Sequence, residues 1–355
     1  MCERTERLRA MEAPLLAWYR SRARVLPWRE NRDPYRIWVS EIMLQQTRVE
    51  AVKPYFERFM EAFPGVKDLA EAEDDRLMKM WEGLGYYSRA RNLKAVARII
   101  VDEYGGCLPA SFDALKGLPG IGSYTAGAVA SIAYGVPVPA VDGNVLRVVS
   151  RVLGDREDIK KASVKARLER ELGRVIPPSE PGNYNQGLFE VGALVCVPGG
   201  EPKCGECPLH ALCLSGQNGW WREIPVKSAP KPKRVEERTV FLIEQEEKIL
   251  INRRPPKGLL ASLYELPNVL GHMEQGEAAA FLGLPLPDIC SIEPLPSARH
   301  VFSHVEWHMI AYRVVLSREA PKPRPFSGAF MADREALKRE YALPSAFAAY
   351  RKLIG

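Results

Sequence analysis

At 355 residues the chain is long enough for two or three separately cored domains, and 46% hydrophobic with 26% charged residues is the balance of a water-soluble globular protein. A net charge of +6 and a pI near 8.9 permit a polyanionic partner without identifying one. No apolar run approaches a bilayer span, and the charged start Met-Cys-Glu-Arg-Thr-Glu-Arg has no apolar signal region behind it, so no membrane role is expected and the cytoplasm is the expected setting.

Apolar residues recur at three- and four-residue intervals over 8–20, 35–46, 49–63, 74–82, 88–104, 122–134, 143–153, 162–175 and 183–196. Prolines 34, 54, 64, 109, 119, 137, 177, 178 and 181 fall at or near most of the segment ends, so residues 1–225 are predicted to be all-α. Lys227-Ser-Ala-Pro-Lys-Pro-Lys-Arg234 alternates proline with charge and predicts an extended linker over 226–235, with Lys231 and Lys233 in it. Beyond it, 238–243, 248–253 and 306–316 are rich in β-branched and aromatic residues and predict strands. Helical patterns at 275–282 and 333–339 make 236–355 a smaller α+β domain. There is no internal repeat.

Cys196, Cys204, Cys207 and Cys213 are spaced C-x7-C-x2-C-x5-C, and only Cys2, Cys107 and Cys290 lie elsewhere. Four thiolates from one short loop suit a 4Fe–4S cluster or a structural zinc. A zinc ribbon normally has two separated C-x2-C knuckles and this loop has one, which favours the cluster; two disulfides or four unrelated thiols are the remaining readings. Clustered cysteines in an odd total suit a reducing compartment.

Leu118-Pro-Gly-Ile-Gly122 follows a short predicted helix over 112–116 and precedes a helix of small residues over 123–133. Gly120 and Gly122 allow the main chain to turn tightly and approach a ligand, and the amides of the next helix N-terminus suit a phosphate. Glu41 has Ile37, Trp38 and Leu44 as helical neighbours, and a carboxyl among apolar groups keeps its proton towards neutral pH, as a general acid must. Asp142 in Val141-Asp-Gly-Asn144 is placed as the N-cap of the helix 143–153, where amides and helix dipole favour its ionised form. A protonated and an ionised acid together are what breaking a glycosidic bond requires. Each also has a plain structural reading, Glu41 as a helix residue at an exposed edge and Asp142 as a cap alone.

The cysteine loop, the Leu-Pro-Gly-Ile-Gly turn and the Val-Asp-Gly-Asn segment together resemble the helix–hairpin–helix DNA glycosylases of the endonuclease III superfamily. Ser40–Thr47, Gly83-Leu-Gly-Tyr-Tyr-Ser-Arg89 and Gly122-Ser-Tyr-Thr-Ala-Gly127 narrow the resemblance to the MutY adenine glycosylases, over essentially the whole chain. That resemblance implies a multidomain architecture: an all-α helix–hairpin–helix glycosylase domain with an iron–sulfur loop, then a C-terminal α+β Nudix-like domain. It implies that Glu41 protonates the adenine, that Asp142 stabilises or captures the sugar cation, and that Tyr124 and Asn144 support these carboxylates. Arg29 and Glu190 would line the flipped-adenine pocket; Gln46, Thr47, Leu84 and Tyr86 would fill or flank the gap beside the lesion base. Leu118, Gly120 and Gly122 would hold the DNA backbone, and Phe302, Ser303 and His304 would contact 8-oxoguanine. The implied partner is double-stranded DNA carrying adenine opposite 8-oxoguanine, bound by a monomer with one 4Fe–4S cluster, near the nucleoid if the source is bacterial.

Three departures and two rivals qualify this picture. Seven residues, not the family's six, separate the first two cluster cysteines. Tyr264 in Gly258-Leu-Leu-Ala-Ser-Leu-Tyr-Glu-Leu-Pro267 stands where the family usually has tryptophan, and the glutamate run that holds magnesium in a Nudix hydrolase is missing, so no pyrophosphatase activity is expected. His300, His304 and His308 have helical metal-site spacing, but Val305, Trp307 and Met309 suggest a strand there rather than a helix. An endonuclease III-like glycosylase and lyase on oxidised pyrimidines would need a lysine where Tyr124 stands. A non-catalytic damage-binding protein would have no use for both Glu41 and Asp142.

Overall fold

The computed structural model describes residues 3–230, 232–326 and 328–354; Cys2 and Lys231 lie outside the described residues. The chain forms two compact units, the first made of 1–71 and 91–229 and the second of 72–90 and 230–355. The second unit therefore includes a stretch of the region predicted to be the helical domain.

The first unit is helical, and its helix ends follow local chemistry. Asp33 caps Pro34–Leu44 by accepting from the Tyr35 amide at 2.8 Å, with Pro34 at the first position. Gly135 and Gly154 close Ser123–Tyr134 and Gly143–Leu153 in left-handed conformation. The predicted segment 8–20 breaks at Met11 into Glu3–Ala10 and Glu12–Arg22. The predicted segment 183–196 is Pro181–Glu190 followed by a widened π-type turn, Val191–Val195. Every residue from Val145 to Leu153 is buried, so Gly143–Leu153 is a central helix, packed on Leu15, Val164, Leu168 and Leu188. The segment 226–228 is tied to this unit: the Ile159 amide donates to the Val226 carbonyl at 3.1 Å and the Ser228 amide to Asp158 at 3.2 Å.

The second unit is built on a mixed sheet of β1 (Arg234–Gln245), β2 (Lys248–Arg253), β3 (Tyr264–Glu265), β4 (Asn268–Leu270), β5 (Ile289–Val301), β6 (Val305–Leu316) and β7 (Phe330–Asp333). The strand order is β3-β2-β1-β6-β5, with β4 paired to β1, β7 to β2, and β1 parallel to β6. Period-two alternation sends Val240 and Leu242 to one core and Phe241 and Ile243 to the other, so both faces are covered. Strand β1 begins at Arg234, inside the predicted linker. Strand β5 carries no ordinary strand signature in sequence, since Pro294 and Pro296 lie within it; it is accommodated at the sheet's end, with an irregularity in pairing between Leu295 and Ala298. His300 and His308 sit on adjacent strands of the β5–β6 hairpin, not on one helix.

Candidate active site and cysteine loop

Residues 83 positions apart in sequence make the first essential contact: the Tyr124 hydroxyl donates to Glu41 Oε2. Glu41 is buried on Pro34–Leu44, and Tyr124 lies in the first turn of Ser123–Tyr134, its ring tilted against Phe189. Burial pushes the Glu41 carboxyl up to about 7, against the lowering effects of the Tyr124 bond and of Arg29, while the nearby Asp142 charge adds to the rise. The exposed-edge reading of Glu41 is thereby removed.

Asp142 caps Gly143–Leu153 through Oδ1, which accepts from the amides of Asn144 at 2.9 Å and Val145 at 2.8 Å. Its Oδ2 accepts from Asn144 Nδ2 at 2.8 Å. These donors favour the ionised carboxylate, as the sequence suggests, yet the net shift is upward because desolvation outweighs them. Arg147 extends the network: Nη2 donates to Asn144 Oδ1 at 2.9 Å and to the Gly192 carbonyl at 2.8 Å, and Nε to the Cys196 carbonyl at 2.7 Å. Gly192 is obligatory there, since a Cβ would lie 2.6 Å from Asn144 Cβ.

Glu190 is fully buried, not a surface acid. Arg24 grips it with Nε at 2.9 Å and Nη2 at 2.7 Å, and Arg29 Nη2 joins at 3.0 Å. Hydrogen bonds and charge from these arginines hold the Glu190 carboxyl below its usual range although burial pushes the other way. No local pattern in the sequence marks Arg24, whose partner is 166 residues away. Arg29 also lines a cavity of about 320 Å³ with Tyr19, Asn31, Ser131, Asn183 and Gln186. Gln186, also unsignalled by pattern, is a buried polar side chain at that cavity.

Leu118 is buried and its carbonyl accepts from the Ile121 amide at 3.1 Å, closing the turn between Phe112–Gly117 and Ser123–Tyr134. Gly120 has φ +76°, and a Cβ there would meet Asn92 at 2.9 Å; Gly122 is the N-cap and supplies no side chain to the first-turn amides. Gln46, at φ +58°, and Thr47 follow the Glu41 helix. Leu84 and Tyr86 belong to the second unit; Leu84 is buried, whereas Tyr86 is 45% exposed at φ +47°. In the β5–β6 turn Ser303 and His304 are exposed and contact each other at 3.2 Å. Phe302 is half-buried, edge-on to Trp307 at 4.9 Å.

Cys196, Cys204, Cys207 and Cys213 line one small cavity with Arg151, His210 and Trp221. Arg151 Nη1 donates to Cys196 Sγ at 3.2 Å and the Gly216 amide to Cys213 Sγ at 3.3 Å, donors suited to sulfur carrying negative charge. Burial, reinforced by the neighbouring thiols, raises Cys204 and Cys213 and pushes Cys207 up to about 12, so a cationic centre is what would make four thiolates compatible here. Among the described residues no three His, Cys, Asp or Glu side chains converge as ligands of one metal ion. The donor set and cavity fit a cluster that spreads its ligands more widely.

Residues 39–174 match the HhH-GPD superfamily base excision DNA repair protein model, and 239–353 match the NUDIX domain model. The chain is 35% identical over 375 residues to the adenine DNA glycosylase of Mus musculus, covering 89% of this chain and 72% of that protein. A thermostable thymine-DNA glycosylase structure aligns with TM-score 0.54 at 29% identity, over 60% of this chain and 97% of its own. A non-covalent endonuclease III–DNA complex aligns with TM-score 0.52 at 26% identity, over 62% and 99%.

Proposed function

Because the chain belongs to the adenine DNA glycosylase family, we propose that it extrudes adenine paired with 8-oxoguanine from duplex DNA and hydrolyses its glycosidic bond, acting less well on adenine opposite guanine. The observation that carries this reading is the acid pair: Glu41 raised to about 7 and held by Tyr124, close enough to Asp142 to feel its charge. Glu41 donates its proton to the departing base, and ionised Asp142 stabilises the positive charge that grows on the sugar. Asn144 and Arg147 keep Asp142 oriented. Arg29 and Gln186, with Glu190 fixing Arg29, give the flipped base polar partners in the cavity they line. The product is an abasic site, since Tyr124 has no amine to form an imine and cut the strand.

The turn at Leu118–Gly122 and the open first-turn amides of Ser123–Tyr134 hold backbone phosphate, which makes binding salt-dependent. Gln46, Thr47, Leu84 and Tyr86 fill or flank the gap beside the lesion base, and Phe302, Ser303 and His304 contact the lesion. Cys196, Cys204, Cys207 and Cys213 would hold a 4Fe–4S cluster, which would brace the loop beside Gly143–Leu153 and takes no step in hydrolysis. The test is excision on duplexes carrying adenine opposite 8-oxoguanine, adenine opposite guanine, and thymine glycol opposite adenine, scored with and without alkali. Alkali-dependent breaks on the first two are expected; alkali-independent cutting at thymine glycol would overturn the reading in favour of an endonuclease III-like lyase.

A further inference from the structure

We propose that the C-terminal domain sets the pose of the Leu84–Tyr86 turn through a polar clamp, with Lys79, Glu82 and Tyr264 as positioning residues. This deepens the functional reading above and rests on it only for the role given to Leu84 and Tyr86. The clamp lies wholly within the second unit, which unites 72–90 with 230–355.

Its centre is an almost buried ion pair on the helix Asp74–Met80 and its exit, with Lys79 Nζ 2.9 Å from Glu82 and side chains 8% and 10% exposed. Lys79 also donates to the carbonyls of Leu337 at 2.9 Å and Tyr341 at 3.1 Å. Glu82 accepts from the Leu343 amide at 2.8 Å and from Arg351 at 2.9 Å. Buried charges hold position only when their hydrogen-bonding capacity is filled, and every one of these additional partners comes from the C-terminal domain. One turn earlier, Asp75 accepts from the Tyr264 hydroxyl at 2.9 Å and pairs with Arg253 at 3.4 Å. A tryptophan at 264 could not place a hydroxyl there.

The turn begins at the residue after Glu82 and is internally rigid. Gly83 has φ +102°, Gly85 φ +70° and Tyr86 φ +47°, conformations that need enforcement at the tyrosine. Trp81 Nε1 donates to the Gly85 carbonyl, and Arg89 Nη2 to the carbonyls of Leu84 and Gly85, each at 3.1 Å. Trp81 is fully buried and stacks beneath the Arg89 guanidinium. A shift at Glu82 therefore moves the turn as a piece, carrying the exposed Tyr86 ring with it.

The test uses the full chain with Glu82→Gln, Arg351→Ala and Tyr264→Phe, the last two being mild changes outside 72–90. Hydrogen exchange is followed in peptides covering 83–90 and 112–134, and single-turnover excision is compared on adenine opposite 8-oxoguanine and opposite guanine. Removing one charge-assisted bond should speed exchange in 83–90 by about tenfold, leave 112–134 unchanged, and shrink the preference for 8-oxoguanine severalfold. Tyr264→Trp should behave as Tyr264→Phe does, because the hydroxyl is what matters. Unaltered exchange at 83–90 in both Glu82→Gln and Arg351→Ala overturns the proposal whatever excision shows. Faster exchange with an unaltered lesion preference supports the clamp and instead refutes the lesion-side role of Leu84 and Tyr86.

Discussion

Replacing Glu41 by Gln separates its chemistry from its cost to the fold. The amide oxygen can still accept from Tyr124, so shape and hydrogen bond survive while the acidic proton is lost. Single-turnover excision at saturating enzyme should fall by about a hundredfold or more, with DNA affinity retained. The same substitution should stabilise the protein. A carboxyl raised from 4.5 to about 7 keeps its proton in the native state across that window, where the unfolded chain has released it. Wild-type stability therefore falls as pH climbs from about 4.5 to 7, by roughly 3 kcal/mol as an upper figure, and Gln has no such loss. Urea unfolding at pH 5 and pH 8 would read the difference directly. A variant that cleaves at near wild-type rate, or that gains no stability relative to wild type between those two pH values, would refute the buried-acid argument.

Asp142→Asn keeps a cap but removes the negative charge, and excision should drop at least as far as in Glu41→Gln; in the wild type the acid limb of the pH–rate profile should reflect protonation of this raised carboxyl. Tyr124→Lys should yield some borohydride-trappable adduct and alkali-independent cleavage, and efficient trapping by the wild type would contradict the monofunctional assignment. Gly192→Ala forces Cβ into Asn144, so a stability loss of about 1–3 kcal/mol with slower excision is expected from thermal melts and single-turnover rates. Glu190→Gln should shift the alkaline limb of the pH–rate profile to lower pH; an unchanged or higher limb would count against the charge balance argued below.

What could be read in the sequence was local. Leu118–Gly122 and Asp142–Asn144 announce themselves because turn, cap and helix start are specified by a few adjacent residues. Glu41 was legible through its apolar helical neighbours, and the cysteines through their spacing. The unread parts depend on distance along the chain. Arg24 meets Glu190 across 166 residues, and Lys79 meets Leu337 across 258. Neither an arginine in a short loop nor a lysine on a helix carries a pattern that foretells such a partner. Strand β5 was hidden for another reason: its prolines deny it an ordinary strand's signature, and only its place at the sheet's end makes them harmless.

The charge balance around Arg29 explains why a buried ion cluster belongs beside a protonated acid. Arg29 acts on Glu41 in the direction of ionisation, which would defeat a general acid. It is also bound to Glu190, whose carboxylate is shared with Arg24. That pairing holds the guanidinium in place and offsets part of its charge, so that desolvation rather than Arg29 decides the state of Glu41. Burying Glu190 between two half-buried arginines costs more than a well-packed apolar group of the same volume would, so the cluster is poor evidence of design for stability. Its value lies in the combination it permits. Arg29 stays a fixed cation at the cavity it lines while Glu41 keeps its proton, and losing the Glu190 charge would draw Glu41 towards ionisation.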